Sequence, residues 1–207
     1  MALEEKVEWG TARQDIEADE AFTRPKGEQL KKVELACGQV KKEGWLGVDA
    51  VPTAQADIVH NLLEFPWPFE DNSIFEYNCE HFVEHIPIQL ADGSFGLMRF
   101  MEEVWRTLMV GGTIRIVAPY YTSMRAWQDP THCRAITDVT FLYFNKKHAQ
   151  AMGVDHYTGK CNFEPVSRVY GITPEWESRS DEARTWAMKH YFNVVADIAF
   201  VLRKIEL

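Results

Sequence analysis

Residues 31–49, KKVELACGQVKKEGWLGVD, constrain this chain most. Val33, Glu34, Leu35 and Ala36 read as a short buried strand that breaks at Cys37-Gly38, and a second apolar run, 45–48, ends on Asp49. A strand that stops in a small-residue turn leaves backbone N–H groups free to face a ligand. An acidic residue at the tip of the next strand can accept hydrogen bonds from a ribose diol. The stretch therefore reads as a cradle for a nucleoside-containing cofactor. Parallel strands normally need a crossover of about a dozen residues. Residues 38–45 offer fewer, so the crossover is expected to be a tight turn or a truncated helix.

The rest of the chain continues the pattern. Residues 56–60 read as a third strand and 74–78 as a fourth, with prolines forcing 65–69 to be irregular between them. Residues 79–86 suggest a helical turn interrupted by Pro87. Leu97, Phe100, Met101, Val104, Trp105 and Leu108 form one apolar stripe, which predicts a helix over 96–109. Gly111-Gly112 is expected to end it. The β-branched run 113–118 reads as a strand stopped by Pro119. Residues 163–170 and 196–205 suggest later strands, and 181–191 a helix. Strands alternating with helical and irregular segments predict one α/β domain with a mostly parallel sheet. Residues 1–27 form an acidic N-terminal extension ahead of a domain over 28–207. They read as a loosely held leader, with a flap anchored by Trp9 and Phe22 as the alternative.

In their order, VELACG (33–38), GWLGVD (44–49), ADIVHNL (56–62), residues 65–86 and residues 100–119 resemble a class I S-adenosylmethionine-dependent methyltransferase. The resemblance implies a Rossmann-like, seven-stranded mixed sheet between helices, with the last strand antiparallel. By position, it implies that Glu34, Ala36, Cys37 and Gly38 wrap the methionine part of the cofactor, and that Asp49 binds the ribose hydroxyls. Asn61 and Leu62 would border the adenine, while Asn78, Cys79 and His81 would line the methyl-donor pocket. The implied cofactor is S-adenosylmethionine, with S-adenosylhomocysteine as product. Ala36 stands where the family prefers glycine, and Asn61 where aspartate is usual.

On the acceptor side, His132 has the side chain suited to a base near neutral pH, and Asp129 is placed to orient it. Tyr120, after the fifth strand, is a third catalytic candidate, as an aromatic that could hold a planar acceptor; the alternative is aromatic core. His81, Glu84 and His85 spell the HxxEH order of a zinc hydrolase. That match is short and follows a strand instead of lying in a long helix. Glu84 and His85 read instead as a polar pair fixing a loop, and no metal is expected. A silent cofactor-binding or structural module is the main alternative to an enzyme. An NAD-dependent dehydrogenase lacks the full glycine fingerprint.

Composition narrows the partners. A net charge of −9, from 22 basic and 31 acidic residues, argues against broad nucleic-acid binding. A small-molecule, sugar or peptide acceptor is expected, and a homo-oligomer stays open. The four cysteines are widely spaced without a CxxC pair, which points to a reduced, cytoplasmic setting. No apolar run approaches the roughly 18 residues of a membrane span.

Overall fold

The computed structural model describes residues 8–10, 30–52, 55–156 and 160–207. The strands are β1 (Glu8–Gly10), β2 (Lys32–Leu35), β3 (Leu46–Asp49), β4 (Ile58–Val59), β5 (Ile74–Glu80), β6 (Leu108–Pro119), β7 (Phe163–Ile172) and β8 (Val195–Lys204). They form one sheet in the order β1-β7-β8-β6-β5-β2-β3-β4. Strands β2 to β6 pair in parallel. The last strand, β8, lies antiparallel between β6 and β7. This is the expected Rossmann-like mixed sheet with one addition. Residues 8–10, read from sequence as part of a leader, pair in parallel with β7 and make an eighth, edge strand. Phe22, and with it the flap reading, lies outside the described residues.

The helices are α1 (Gly96–Thr107), α2 (Arg125–Gln128), α3 (Lys146–Ala151), α4 (Pro174–Glu177) and α5 (Asp181–His190). Among the described residues, no helix joins β2 to β3, β3 to β4 or β4 to β5. Of the two forms expected for the first crossover, a tight turn or a truncated helix, the structure shows turns without a helix. The crossover's lining is polar: the buried Glu34 carboxylate accepts the Lys42 N–H at 2.9 Å.

Strand alternation sorts the side chains into two faces. Val33, Leu35, Tyr77, Cys79, Ile114 and Ile116 turn to one face and are fully buried with Leu97, Phe100, Met101 and Val104 of α1. Lys32, Glu34, Glu76, Asn78, Glu80 and Arg115 turn to the other. The irregular segment between β4 and β5 is locked onto the apolar face. Trp67 donates its backbone N–H to Glu103 on α1 at 2.7 Å and its indole N–H to the Leu62 carbonyl at 3.1 Å.

Several boundaries differ from the sequence reading. Helix α1 stops at Thr107, and Leu108 already has extended backbone, so Gly111-Gly112 do not cap the helix. They lie inside β6, where its register against β5 shifts between Ile74 and Glu76. Gly111 has φ +83°. A Cβ on Gly112 would come within 2.8 Å of the Phe75 carbonyl oxygen, so this bulge requires glycine. Strand β4 keeps only Ile58–Val59. Strand β5 runs on to Glu80, leaving one 3-10 turn, Val83–His85, from the expected helical segment. No helix among the described residues is long and apolar enough to cross a membrane.

Candidate functional site

The strand order reverses between β2 and β5: β3 and β4 extend to one side, β5 and β6 to the other. In open α/β sheets a crevice forms outside the carboxyl ends of the strands at such a reversal. Backbone strain concentrates at that point. Ala36, just past β2, has φ +52°, and His81, just past β5, has φ +53°. Such positions cost about 1–3 kcal/mol in non-glycine residues and cluster at functional sites. The other two non-glycine residues at positive φ among the described residues are Asn72 and Asn193, a type that tolerates it. His81 is fixed there by its backbone N–H, which donates to the Val117 carbonyl at 2.8 Å.

The two turns leaving β2 and β3 are tied through one carboxylate. Asp49 accepts the Gly38 N–H on Oδ2 and the Val51 N–H on Oδ1, each at 2.9 Å. Each oxygen keeps a second lone pair, so the half-exposed carboxylate still has capacity for outside donors. Gly38 takes φ +57°, and among the described residues nothing lies within 4 Å of where its Cβ would stand. Behind it, Cys37 is buried and its N–H donates to the Val48 carbonyl at 3.1 Å. Burial, and then the charges of Asp49 and Glu34, push the Cys37 thiol above its ordinary pKa. It therefore stays protonated near neutral pH.

Under this turn runs a polar row that the sequence reading found only in part. Glu34, Asn78 and Arg115 stand directly opposite one another on β2, β5 and β6. Asn78, fully buried, donates to Glu34 at 2.8 Å and to Glu80 at 3.2 Å. Arg115 donates to the Asn78 side-chain oxygen Oδ1 at 3.0 Å and forms an ion pair with Glu80. The row braces the two strands that flank the reversal. A charged residue inside the β-branched run 113–118 was the available signal for Arg115.

The remaining candidates fall in three places. Exposed Asn61 closes its own turn, accepting the Leu63 N–H at 3.0 Å, while Leu62 is buried. Cys79 is wholly buried on the apolar face. Tyr120 sits in the aromatic core, 4.7 Å from Tyr121 and 5.6 Å from Tyr170 between ring centres. Burial raises its phenol well above the usual range.

His132 is held differently from the expectation. Its Nδ1 bonds the Ala126 carbonyl at 3.1 Å, and Asp129 Oδ2 lies 4.0 Å from Nε2, too far to orient the ring by a hydrogen bond. Asp129 instead accepts the Thr131 N–H and hydroxyl at 2.8 and 2.7 Å, and those bonds lower its pKa. The Thr131 Oγ1 in turn lies 2.9 Å from His85 Nδ1. The two loops are joined by the Cys133 N–H donating to the Glu84 carbonyl at 2.7 Å, and by Arg134, which donates to the Ile86 and Pro87 carbonyls. His85 and His132 rings pack edge to face with centres 4.6 Å apart. His81 does not pair with His85 as an HxxEH zinc site would require; its Nδ1 lies 3.4 Å from Glu84, whose carboxylate raises the imidazole pKa.

No protein-family model matches the sequence, and no curated protein matches it. Among solved structures, a SAM-dependent methyltransferase from Archaeoglobus fulgidus is similar at TM-score 0.49 and 15% identity, over 84% of this chain and 86% of that one. A geranyl diphosphate C-methyltransferase from Streptomyces coelicolor, solved with Mg2+, geranyl-S-thiolodiphosphate and S-adenosyl-L-homocysteine, is similar at TM-score 0.48 and 15% identity, over 86% and 71%. The YcgJ protein of Bacillus subtilis follows at 0.46 and 13%, over 86% and 93%. At these scores the likenesses carry no functional weight, and the fold reading stands on the strand order itself.

Proposed function

We propose that this chain is an S-adenosylmethionine-dependent methyltransferase whose cofactor lies across the carboxyl ends of β2 and β3. The observation that carries the reading is the Asp49 carboxylate, tied to the Gly38 and Val51 N–H groups with lone pairs to spare. A ribose diol matches that spare capacity. The left-handed backbone at Ala36 and Gly38 fits a turn that presents N–H groups to a ligand running past the end of β2. The methionine part would pass Glu34 to Gly38, and His81 would close the donor side. The ordered motifs from 33 to 119 support the same assignment.

The cofactor supplies an activated sulfonium methyl. The protein's part is alignment of an acceptor against it, worth up to about 7–11 kcal/mol in oriented model reactions. The loops after β5 and β6 are the acceptor side, carrying His85 and His132. A group that holds or removes a proton there helps only where the acceptor must lose one. The acceptor class is a small molecule, sugar or peptide group.

Calorimetry with S-adenosylhomocysteine tests the site. Asp49→Ala should weaken binding by about 1.5–3 kcal/mol, the scale of a lost charged hydrogen-bond partner. Unchanged affinity would refute the assignment. Tight product binding by a protein that turns over no acceptor would favour the silent module.

A further inference from the structure

We infer that Glu84, His85 and His132 form a binding site for one divalent transition-metal ion beside the donor pocket. One ligand atom from each residue lies within 4.8 Å of the other two. Ligands about 2.0–2.2 Å from a shared ion stand roughly 3.3–3.6 Å apart, so an entering ion draws the three inward by about an ångström.

The decisive observation is Glu84. The residue is 2% exposed, and neither carboxylate oxygen has a hydrogen-bond partner. His81 Nδ1 at 3.4 Å is its nearest ion-pair contact and makes no hydrogen bond. A buried carboxylate whose charged contact is an imidazole 3.4 Å away, with no hydrogen bond to either oxygen, is left undersatisfied, and coordination to a cation is one way to satisfy it.

The histidines are set up to match. The Thr131 hydroxyl donates to Asp129, so its oxygen accepts from His85 Nδ1–H. His132 Nδ1–H donates to the Ala126 carbonyl. Each ring is thereby left with a bare lone pair on Nε2, and each is oriented by a hydrogen bond from its other nitrogen, as metal-bound histidines are. Two imidazoles with one carboxylate suit zinc, iron or cobalt, whereas calcium and magnesium prefer oxygen ligands alone. Three protein ligands leave a coordination position open.

That open position gives the site a role, which rests on the methyltransferase reading. An acceptor hydroxyl bound to the ion has its pKa lowered, and its proton passes to solvent. The resulting alkoxide attacks the cofactor's methyl carbon: the new O–C bond forms as the C–S bond breaks, and the electron pair leaves on sulfur. The acceptor is therefore an alcohol or phenol whose oxygen binds a divalent ion.

The test begins with chelator-stripped full-length protein titrated with Co2+ and, separately, Zn2+. One equivalent should bind, and Co2+ should develop visible d–d absorption. His85→Ala and His132→Ala should each abolish the absorption, with circular dichroism confirming the fold. Thr131→Val, which removes only the support of His85, should weaken binding 10- to 100-fold. No absorption in the wild type, or absorption that survives the double variant His85→Ala/His132→Ala, overturns the site. S-adenosylhomocysteine affinity is measured on the same samples. Metal binding without product binding supports the site but refutes the methyltransferase reading. Product binding without metal binding refutes the site alone.

Discussion

Ala36 holds a turn that chirality makes expensive. Its φ of +52° costs an L-residue about 1–2 kcal/mol relative to glycine, while glycine loses about 0.4–1 kcal/mol more entropy on folding. Ala36→Gly is therefore expected to stabilise the protein by up to about 1.6 kcal/mol, read as a shift in urea midpoint at constant slope. A loss of stability would mean that the Ala36 methyl makes contacts worth more than the strain. At this scale some of the site was legible and some was not. Asp49 could be found because a short strand ending on an acid is a local pattern. Glu84 and His85 read from sequence as a polar pair fixing a loop, and their grouping with His132 was not legible because that residue lies on a loop 47 residues further along. Spacing on one helix suggested His81 instead, but the chain there is a single 3-10 turn.

Elements are coupled across the sheet by groups that periodicity cannot pair. Arg115 on β6 is 7% exposed and reaches both Asn78 and Glu80 on β5. Arg115→Met should destabilise by about 1–3 kcal/mol by removing the donor to the buried Asn78 side-chain oxygen and to the partly exposed Glu80 carboxylate. Adding Glu80→Gln should recover part of that loss, a non-additivity that equilibrium unfolding of the four proteins measures. At the other end of the sheet, Lys204 on β8 is buried. It donates to Asn72 at 2.7 Å and to the Leu108 carbonyl at 2.8 Å, at the junction of α1 and β6. Burial lowers its pKa to about 8, against about 10.4 in an unfolded chain. Between those values the unfolded state holds more protons, so this group makes stability rise with pH from about 8 to about 10. Lys204→Met should remove that rise. The wild-type-minus-variant difference in urea midpoint isolates it from other groups titrating in the range. The helix-to-strand junction that Lys204 braces was misread from sequence for a related reason. Gly111-Gly112 resembles a helix stop, and only the close approach of the Phe75 carbonyl marks it as a bulge.

The molecule as a whole carries its site on a lightly built half of the sheet. The mostly parallel α/β class was legible because α1 and the β-branched β6 are strongly patterned, while the antiparallel last strand was implied only by the family resemblance. The eighth strand was not, since residues 8–10 acquire strand character only by pairing with β7. Between β2 and β4 the described connections have no helix to pack, so the turns there are held by hydrogen bonds, among them those of Asp49, Glu34 and Asp57. A ligand bridging those turns should stabilise the fold globally. S-adenosylhomocysteine at about 100 times its dissociation constant adds about 2.7 kcal/mol. For a chain of this size, each kcal/mol moves the melting temperature by about 2–4 °C, giving a rise of about 5–11 °C. At the same ligand concentration, Asp49→Ala with a roughly hundredfold weaker site should retain only about 0.4 kcal/mol, a rise of about 1–2 °C. Thermal melts of both proteins with and without ligand decide the matter. An undiminished rise in the variant would place the ligand elsewhere, and the turns after β2 and β3 would then be structural alone.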